Sequence, residues 1–206
     1  MQELIMSKIN FLKKVVTHLS WLVRNGFDYI KYRNKYVEYH MSDRIIKPTL
    51  ITPPYIKLGE NVHIRNNGRV EGVSKYNNKC FSPLIVLEDG VHIEQNCHIT
   101  CAASIVIGKN TAIASNVTIT DIHHPYDDVN IPIERQDIVI HEVSIGSDCK
   151  IYNNAVILPG VHIGKHVTVG ANSVVTHDIP DFCVVAGAPA KILRKYNPST
   201  RLWEKL

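Results

Sequence analysis

The sequence predicts an all-β solenoid, a parallel β-helix with an N-terminal helical arm and a short C-terminal helix, and three observations carry that expectation. First, every sixth residue from Ile145 is aliphatic: Ile145, Ile151, Ile157, Ile163, Val169 and Val175. Second, four places further on in each unit stands a small or apolar residue: Cys149, Ala155, Val161, Val167, Ser173 and Ile179. Third, Gly, Asn and Asp fall between them, where a chain turning a corner often needs positive φ. A period of six is neither the 3.6 of a helix nor the alternation of a plain strand, so it marks an internal repeat. One such unit cannot bury a core. Stacked copies, three to a turn, form a triangular prism around columns of Ile and Val.

Residues 1–47 form the arm. Ile5, Ile9, Leu12, Val16, Leu19 and Val23 step by four and three, which is one face of a helix, and Asn25-Gly26 is its expected stop. A second short helix is expected over Phe27 to Tyr39, where Tyr29, Tyr32, Tyr36 and Tyr39 stand among Lys31, Arg33 and Lys35. Two readings of the arm compete. Its apolar face packs on the prism or a neighbouring subunit, capping the open end of the solenoid, or residues 1–40 lie on a membrane surface as a basic amphipathic segment.

Pro48, Pro53 and Pro54 mark the change from helix to strand. The repeat domain is expected over 48–195. It begins at Leu58 and Ile64, loses register over 66–83, and resumes at Leu87, Ile93, Ile99 and then Ile107, Ile113, Ile119. Between Ile119 and Ile145 the spacing fails, and this polar excursion, 120–144, is where function is expected. Residues 196–206 form a tail, with a terminal helix expected from Pro198 to Leu206.

A chain of 206 residues is most simply one domain plus appendages. Its net charge of +4 is accounted for by residues 1–44 alone, where eight Lys or Arg face four acids. No basic stripe is left for the repeat region, which argues against a nucleic-acid partner. The five cysteines, Cys80, Cys97, Cys101, Cys149 and Cys183, make no C-x-x-C pair, which suits a reduced, cytoplasmic protein. Cys97 and Cys149 occupy the small inward slot and read as core residues. Lys8, Lys13 and Lys14 interrupt any signal-peptide core, and no apolar run is long enough to span a bilayer.

Asp121, His123 and His124 stand at the edge of the excursion, followed by Pro125. Moving an acyl group from a thioester to a hydroxyl needs a base that takes the hydroxyl proton and returns it to the leaving thiolate. Histidine suits both halves because its pKa lies near neutrality. The repeat together with this His-Pro pair resembles the hexapeptide-repeat acyltransferase family, and is similar to its galactoside, maltose and polysaccharide-biosynthesis acetyltransferases. The resemblance covers residues 55–195. It implies a left-handed β-helix, although parallel crossovers generally favour the right hand. It also implies a homotrimer with its sites between subunits, acetyl-CoA as co-substrate and no metal.

The resemblance makes His124, the residue before Pro125, the base, with His123 as its rival. Asp121 either orients the imidazole or makes a local Asx turn. A second motif, Ala186-Gly187-Ala188-Pro189-Ala190-Lys191 with Arg194 beyond it, matches residues that wrap coenzyme A in the family. The implied contacts are backbone near Ala171 and Thr176, the adenine near Pro189, Lys191 and Arg194 by the phosphates, and Asn153. Asn96 matches an asparagine that touches the acceptor sugar. The implied activity is O-acetylation of a sugar or cell-envelope polysaccharide precursor, with an amino-sugar or xenobiotic N-acetyltransferase or a serine acetyltransferase as alternatives. From another class, a γ-type zinc carbonic anhydrase shares the prism, and His92, His98, His123 and His124 supply imidazoles for it. The Ala186 to Lys191 motif has no purpose there.

Overall fold

The computed structural model describes residues 2–206; the side chains of Ile5 and Ile9, named above for the arm, lie outside the described residues. After helix α1 (Gln2–Tyr32), the chain winds around three flat faces. A bridge from Glu38 to Lys57 on the first face, β1 (Arg44–Ile45) on the second and β2 (Leu50–Ile51) on the third make coil one. Coil two is β3 (Ile56–Leu58), β4 (His63–Ile64) and β5 (Arg69–Gly72), after which β6 (Lys75–Tyr76) and β7 (Lys79–Cys80) form a hairpin outside the prism. Coil three is β8 (Leu84–Leu87), β9 (His92–Ile93) and β10 (His98–Cys101); coil four is β11 (Ser104–Ile107), β12 (Ala112–Ile113) and β13 (Thr118–Thr120). The excursion follows, pinned by antiparallel β14 (Ile122–His123) and β15 (Val139–Ile140). Coil five is β16 (Val143–Ile145), β17 (Lys150–Ile151) and β18 (Val156–Ile157); coil six is β19 (His162–Ile163), β20 (Thr168–Val169) and β21 (Val174–Val175). A bridge at Ile179 and β22 (Cys183–Ala186) open a last coil, and β23 (Lys191–Asn197) and β24 (Leu202–Lys205) fold back antiparallel on it.

The six-residue period is the register of this stack. On the third face Val70, Ile99, Ile119, Ile157 and Val175 lie each over the last, all fully buried. Ile64, Ile93, Ile113, Ile151, Val169 and Val185 do the same on the second. Two corners turn through left-handed residues. Asn61, Gly90, Asn110, Asp148 and His166 serve the first, and Asn67, Asn96, Asn116, Asn154 and Asn172 the second. Asparagine tolerates this conformation because its short side chain bonds locally. Coils touch so closely that a Cβ on Gly146 would fall 2.7 Å from the backbone of Gly164. The third corner, joining the third face to the first, takes every insertion: the 73–83 hairpin, the tight 101–104 turn and the excursion.

Four expectations change. Helix α1 runs unbroken through Asn25-Gly26, because Asn25 is buried and the bare Gly26 packs toward Met41, so the segment to Tyr39 holds no second helix. The solenoid reaches back to Glu38, ahead of residue 48. Register holds through β5, since Arg69–Gly72 pairs with His98–Cys101, and the true insertion is 73–83. The tail is a hairpin and not a helix, because Tyr196 pairs across it with Trp203, their rings 5.7 Å apart, and Trp203 also stacks on His166.

The end of α1 closes the base of the prism. Tyr29, Tyr32, Tyr36 and Tyr39 form one aromatic cluster, with Tyr36 and Tyr39 buried and 5.2 Å apart. Burial pushes both of those phenols well above their ordinary pKa. Further back, Leu12, Val16, Leu19, Val23, Phe27 and Ile30 remain exposed. Among the described residues no helix is long and apolar enough to cross a membrane.

Candidate active site

On the third face, outward residues of neighbouring coils line up because register is kept. Arg69, His98, Thr118, Val156 and Val174 form one row, and Glu71, Thr100, Thr120 and Leu158 the next. Over the lower part of this face the hairpin and the excursion, leaving the prism at the same corner, lean together. Asn77 Nδ2 donates to the Gln136 carbonyl at 3.3 Å, and Lys79 pairs with Asp137 at 3.1 Å. Between them and the face lies a cavity of about 500 Å³. Its floor is Arg69, Glu71, His98, Thr100, Thr118 and Thr120; Tyr76 and His124 form its wall.

His124 is partly buried, and its ring meets Tyr76 edge-on at 5.3 Å. The Tyr76 hydroxyl donates to Glu134, with the backbone oxygen at 2.9 Å and Oε2 at 3.0 Å, and lies 3.5 Å from His124 Nδ1. On the floor, Arg69 Nε donates to Glu71 Oε2 at 2.6 Å, and the hydroxyls of Thr100 and Thr120 bond at 3.0 Å. Burial first, then the charge of Arg69, hold the His98 imidazole below its ordinary pKa. Hydroxyls, a guanidinium and a carboxylate facing a cavity with a histidine on its wall can hold a polyol and take a proton from it.

The other residues marked in the sequence fall elsewhere. His123 points outward, exposed, its ring 6.1 Å from Tyr126. Asp121 neither orients His124 nor makes a local turn. Its carboxylate is fully buried and accepts the backbone N–H groups of Ala102 at 2.7 Å, Ala103 at 2.7 Å and Ser104 at 3.0 Å, clamping the tight turn one coil below. Asn96 is not on the cavity. It begins a ladder along the second corner, donating to Asn116, which donates to Asn154, which donates to Asn172. Asn153 and Ala171 lie exposed at that corner, and Asn172 N–H donates to the Asn153 carbonyl at 3.0 Å. Tyr76 and Glu134 stand outside the repeat, in the hairpin and the excursion, and the six-residue period carries no sign of them. The only trace in the sequence is Asn77-Asn78, a two-residue turn of the kind that closes hairpins.

The Ala186 to Lys191 segment is tied to the same third face. Gly187, at φ 106, donates its N–H to the fully buried Ser173 hydroxyl at 3.1 Å; Val174 N–H donates to the Gly187 carbonyl and Ala190 N–H to the Val174 carbonyl. Pro189, Lys191 and Arg194 are exposed beside this turn, and Thr176 bonds His177 Nδ1 at 2.8 Å. Of the four histidines considered for zinc, His92 lies on the second face and His98 on the third, and among the described residues no three metal-ligating side chains cluster.

The Bacterial transferase hexapeptide (six repeats) family model matches residues 142–177. An Escherichia coli (strain K12) protein, whose name assigns it to lipopolysaccharide-biosynthesis O-acetyl transfer, is 36% identical over 180 residues, covering 79% of this chain and 92% of that relative. The galactoside O-acetyltransferase of the same organism is 31% identical over 146 residues, covering 70% of this chain and 59% of the relative. A solved hexapeptide-repeat acetyltransferase of Vibrio cholerae, complexed with acetyl coenzyme A, shares the fold at 21% identity with a TM-score of 0.54, covering 86% of each chain. With its stacked six-residue coils, its histidine-walled cavity and a relative matched almost end to end, the chain belongs to the hexapeptide-repeat acyltransferases, the left-handed parallel β-helix family.

Proposed function

We propose that the protein is an acetyl-CoA-dependent O-acetyltransferase acting on a hydroxyl of a sugar or cell-envelope polysaccharide precursor, with His124 as general base. The observation that carries this reading is His124 on the wall of a hydroxyl-lined cavity, on the same prism face as the Gly187 turn. The name of the Escherichia coli relative supports an envelope saccharide as acceptor.

Tyr76 sets the form of the base. Its single proton is engaged by the two Glu134 oxygens, so its own oxygen is left to accept; Nδ1 of His124 then carries hydrogen and Nε2 the lone pair. Nε2 takes the acceptor's hydroxyl proton as the oxygen bonds to the acetyl carbonyl carbon. Backbone N–H donors hold the oxyanion. When the carbon–sulfur bond breaks, Nε2 returns the proton to the thiolate. Arg69, Glu71 and the threonine pair orient the sugar. The coenzyme lies along the upper third face, past Thr176, Ala171 and Asn153, with Pro189 against the adenine and Lys191 and Arg194 toward the phosphates. The active form is a homotrimer in the cytoplasm, and residues 1–40 touch the inner face of the membrane.

The test is thiol release from acetyl-CoA across sugars, nucleotide sugars and envelope polysaccharides. Acceptor-dependent release is expected, falling about a hundredfold or more in His124→Ala, the usual weight of a general base, and little in His123→Ala. Equal rates in wild type and His124→Ala would overturn the assignment.

A further inference from the structure

Helix α1 shows solvent a stripe that the prism does not use. Val16, Leu19, Val23, Phe27 and Ile30 are each more than half exposed, Phe27 at 70%. A contiguous apolar stripe of this kind marks an interaction surface. Four of these residues line a groove that shares Arg24 and Asp28 with a second cavity, about 430 Å³, between α1 and the turn at 45–47.

That second cavity is built of donors. Arg24, Arg44 and Lys47 line it against one carboxylate, Asp28, and none of the three cations makes an ion pair within 4.0 Å among the described residues. Asn25 lines it too, 4% exposed, its amide nitrogen buried without a partner among the described residues. An unmet buried donor costs free energy until an acceptor arrives. Lys47 is held at φ 39, a left-handed backbone that a lysine adopts only when its surroundings impose it, and such strain gathers at ligand clamps.

Three cations and an unmet amide call for an anion with several oxygens, and the adjoining stripe calls for hydrocarbon. The chemistry that offers both is a phospholipid at a bilayer surface. We infer that α1 docks the protein on an anionic bilayer, with a lipid phosphate in the Arg24–Arg44–Lys47 cavity and the Val16–Phe27 stripe at the acyl boundary. This deepens the membrane contact proposed above and is independent of acetyl transfer. A second copy on the stripe is disfavoured by charge, because residues 1–44 hold the chain's net charge of +4 and would meet like charge. The docked end sits one coil from the active-site cavity. The Lys47 carbonyl accepts Asn67 N–H at 3.0 Å, and β2 pairs with β5, the strand carrying Arg69 and Glu71. A lipid-linked acceptor held in the same bilayer would reach that cavity from below.

The test floats the full chain with vesicles of phosphatidylcholine alone or mixed with phosphatidylglycerol, alongside thiol release with a soluble acceptor. The protein is expected to float only with the anionic vesicles and to come off in high salt. Arg24→Gln and Lys47→Gln each weaken flotation about fivefold, and Phe27→Asp abolishes it, with thiol release unchanged in all three. The inference is overturned if wild type ignores anionic vesicles. It is equally overturned if Phe27→Asp instead lowers the oligomeric mass, making the stripe a subunit interface. Lys47-dependent thermal protection by inorganic phosphate without vesicle binding would make the cavity a free-anion site, and this too would overturn it.

Discussion

Asp121 and Tyr76 divide the work around His124, one holding a turn and the other packing against the imidazole. Asp121→Ala leaves three backbone N–H groups without their acceptor, each worth on the order of 1 kcal/mol, so a loss of about 3 kcal/mol in a denaturant titration is expected. Asp121→Asn, which keeps one acceptor oxygen, should lose less and retain its rate per folded molecule. Tyr76→Phe frees Nδ1 and unties the hairpin from Glu134. Its kcat should fall about three- to tenfold, the weight of one hydrogen bond, with KM for the acceptor little changed; a large KM change and steady kcat would make Tyr76 a sugar contact. That His124 stands at the cavity could be read from its position before Pro125, where the period fails. Tyr76 could not, because it lies 48 residues away in an insertion and meets His124 only through the shared corner. Asp121 misled for a related reason: its partners, Ala102 to Ser104, are its neighbours one coil below and not along the chain.

At the level of elements, the stack was readable because each coil makes the same demand at the same place. Ile157 is fully buried, over Ile119 and under Val175. Ile157→Ala should cost about 2–5 kcal/mol through lost burial and a cavity that rigid coils cannot close, measured as a fall in denaturant midpoint, while Val156→Ala on the outer side costs far less. In the arm and the tail a tertiary partner overrides the local signal. Asn25-Gly26 looks like a helix stop, yet the small glycine faces Met41 and the helix passes. The tail around Pro198 looks helical, yet Tyr196 and Trp203 pair across a hairpin whose turn is capped by Asn197 Oδ1 accepting Ser199 N–H at 2.9 Å.

Across the whole molecule, the second face carries a pH response. His63 stacks on His92 at 4.5 Å, and burial first, then the charge of His92, with Arg44 and Arg65 behind, lowers its pKa. A histidine lowered in the folded state binds fewer protons there than when unfolded, so stability rises with pH through its range. The loss therefore begins as pH falls through about 6.5 and is complete below the folded pKa. His98 acts in the same direction. Melting temperature should drop between neutral and mildly acidic pH, and His63→Gln should flatten that drop. The unbroken register of the third face has one more consequence. His124 stands by coil four and the Gly187 turn is bonded to coil six, so the two are two strand spacings apart, roughly 10 Å. The prism is a ruler graduated in coils, so the reach from His124 to the Gly187 turn changes only in whole coils. Excising residues 145–162 would shorten that measure by one graduation, keeping His124, Tyr76 and the Gly187 turn and losing Asn153.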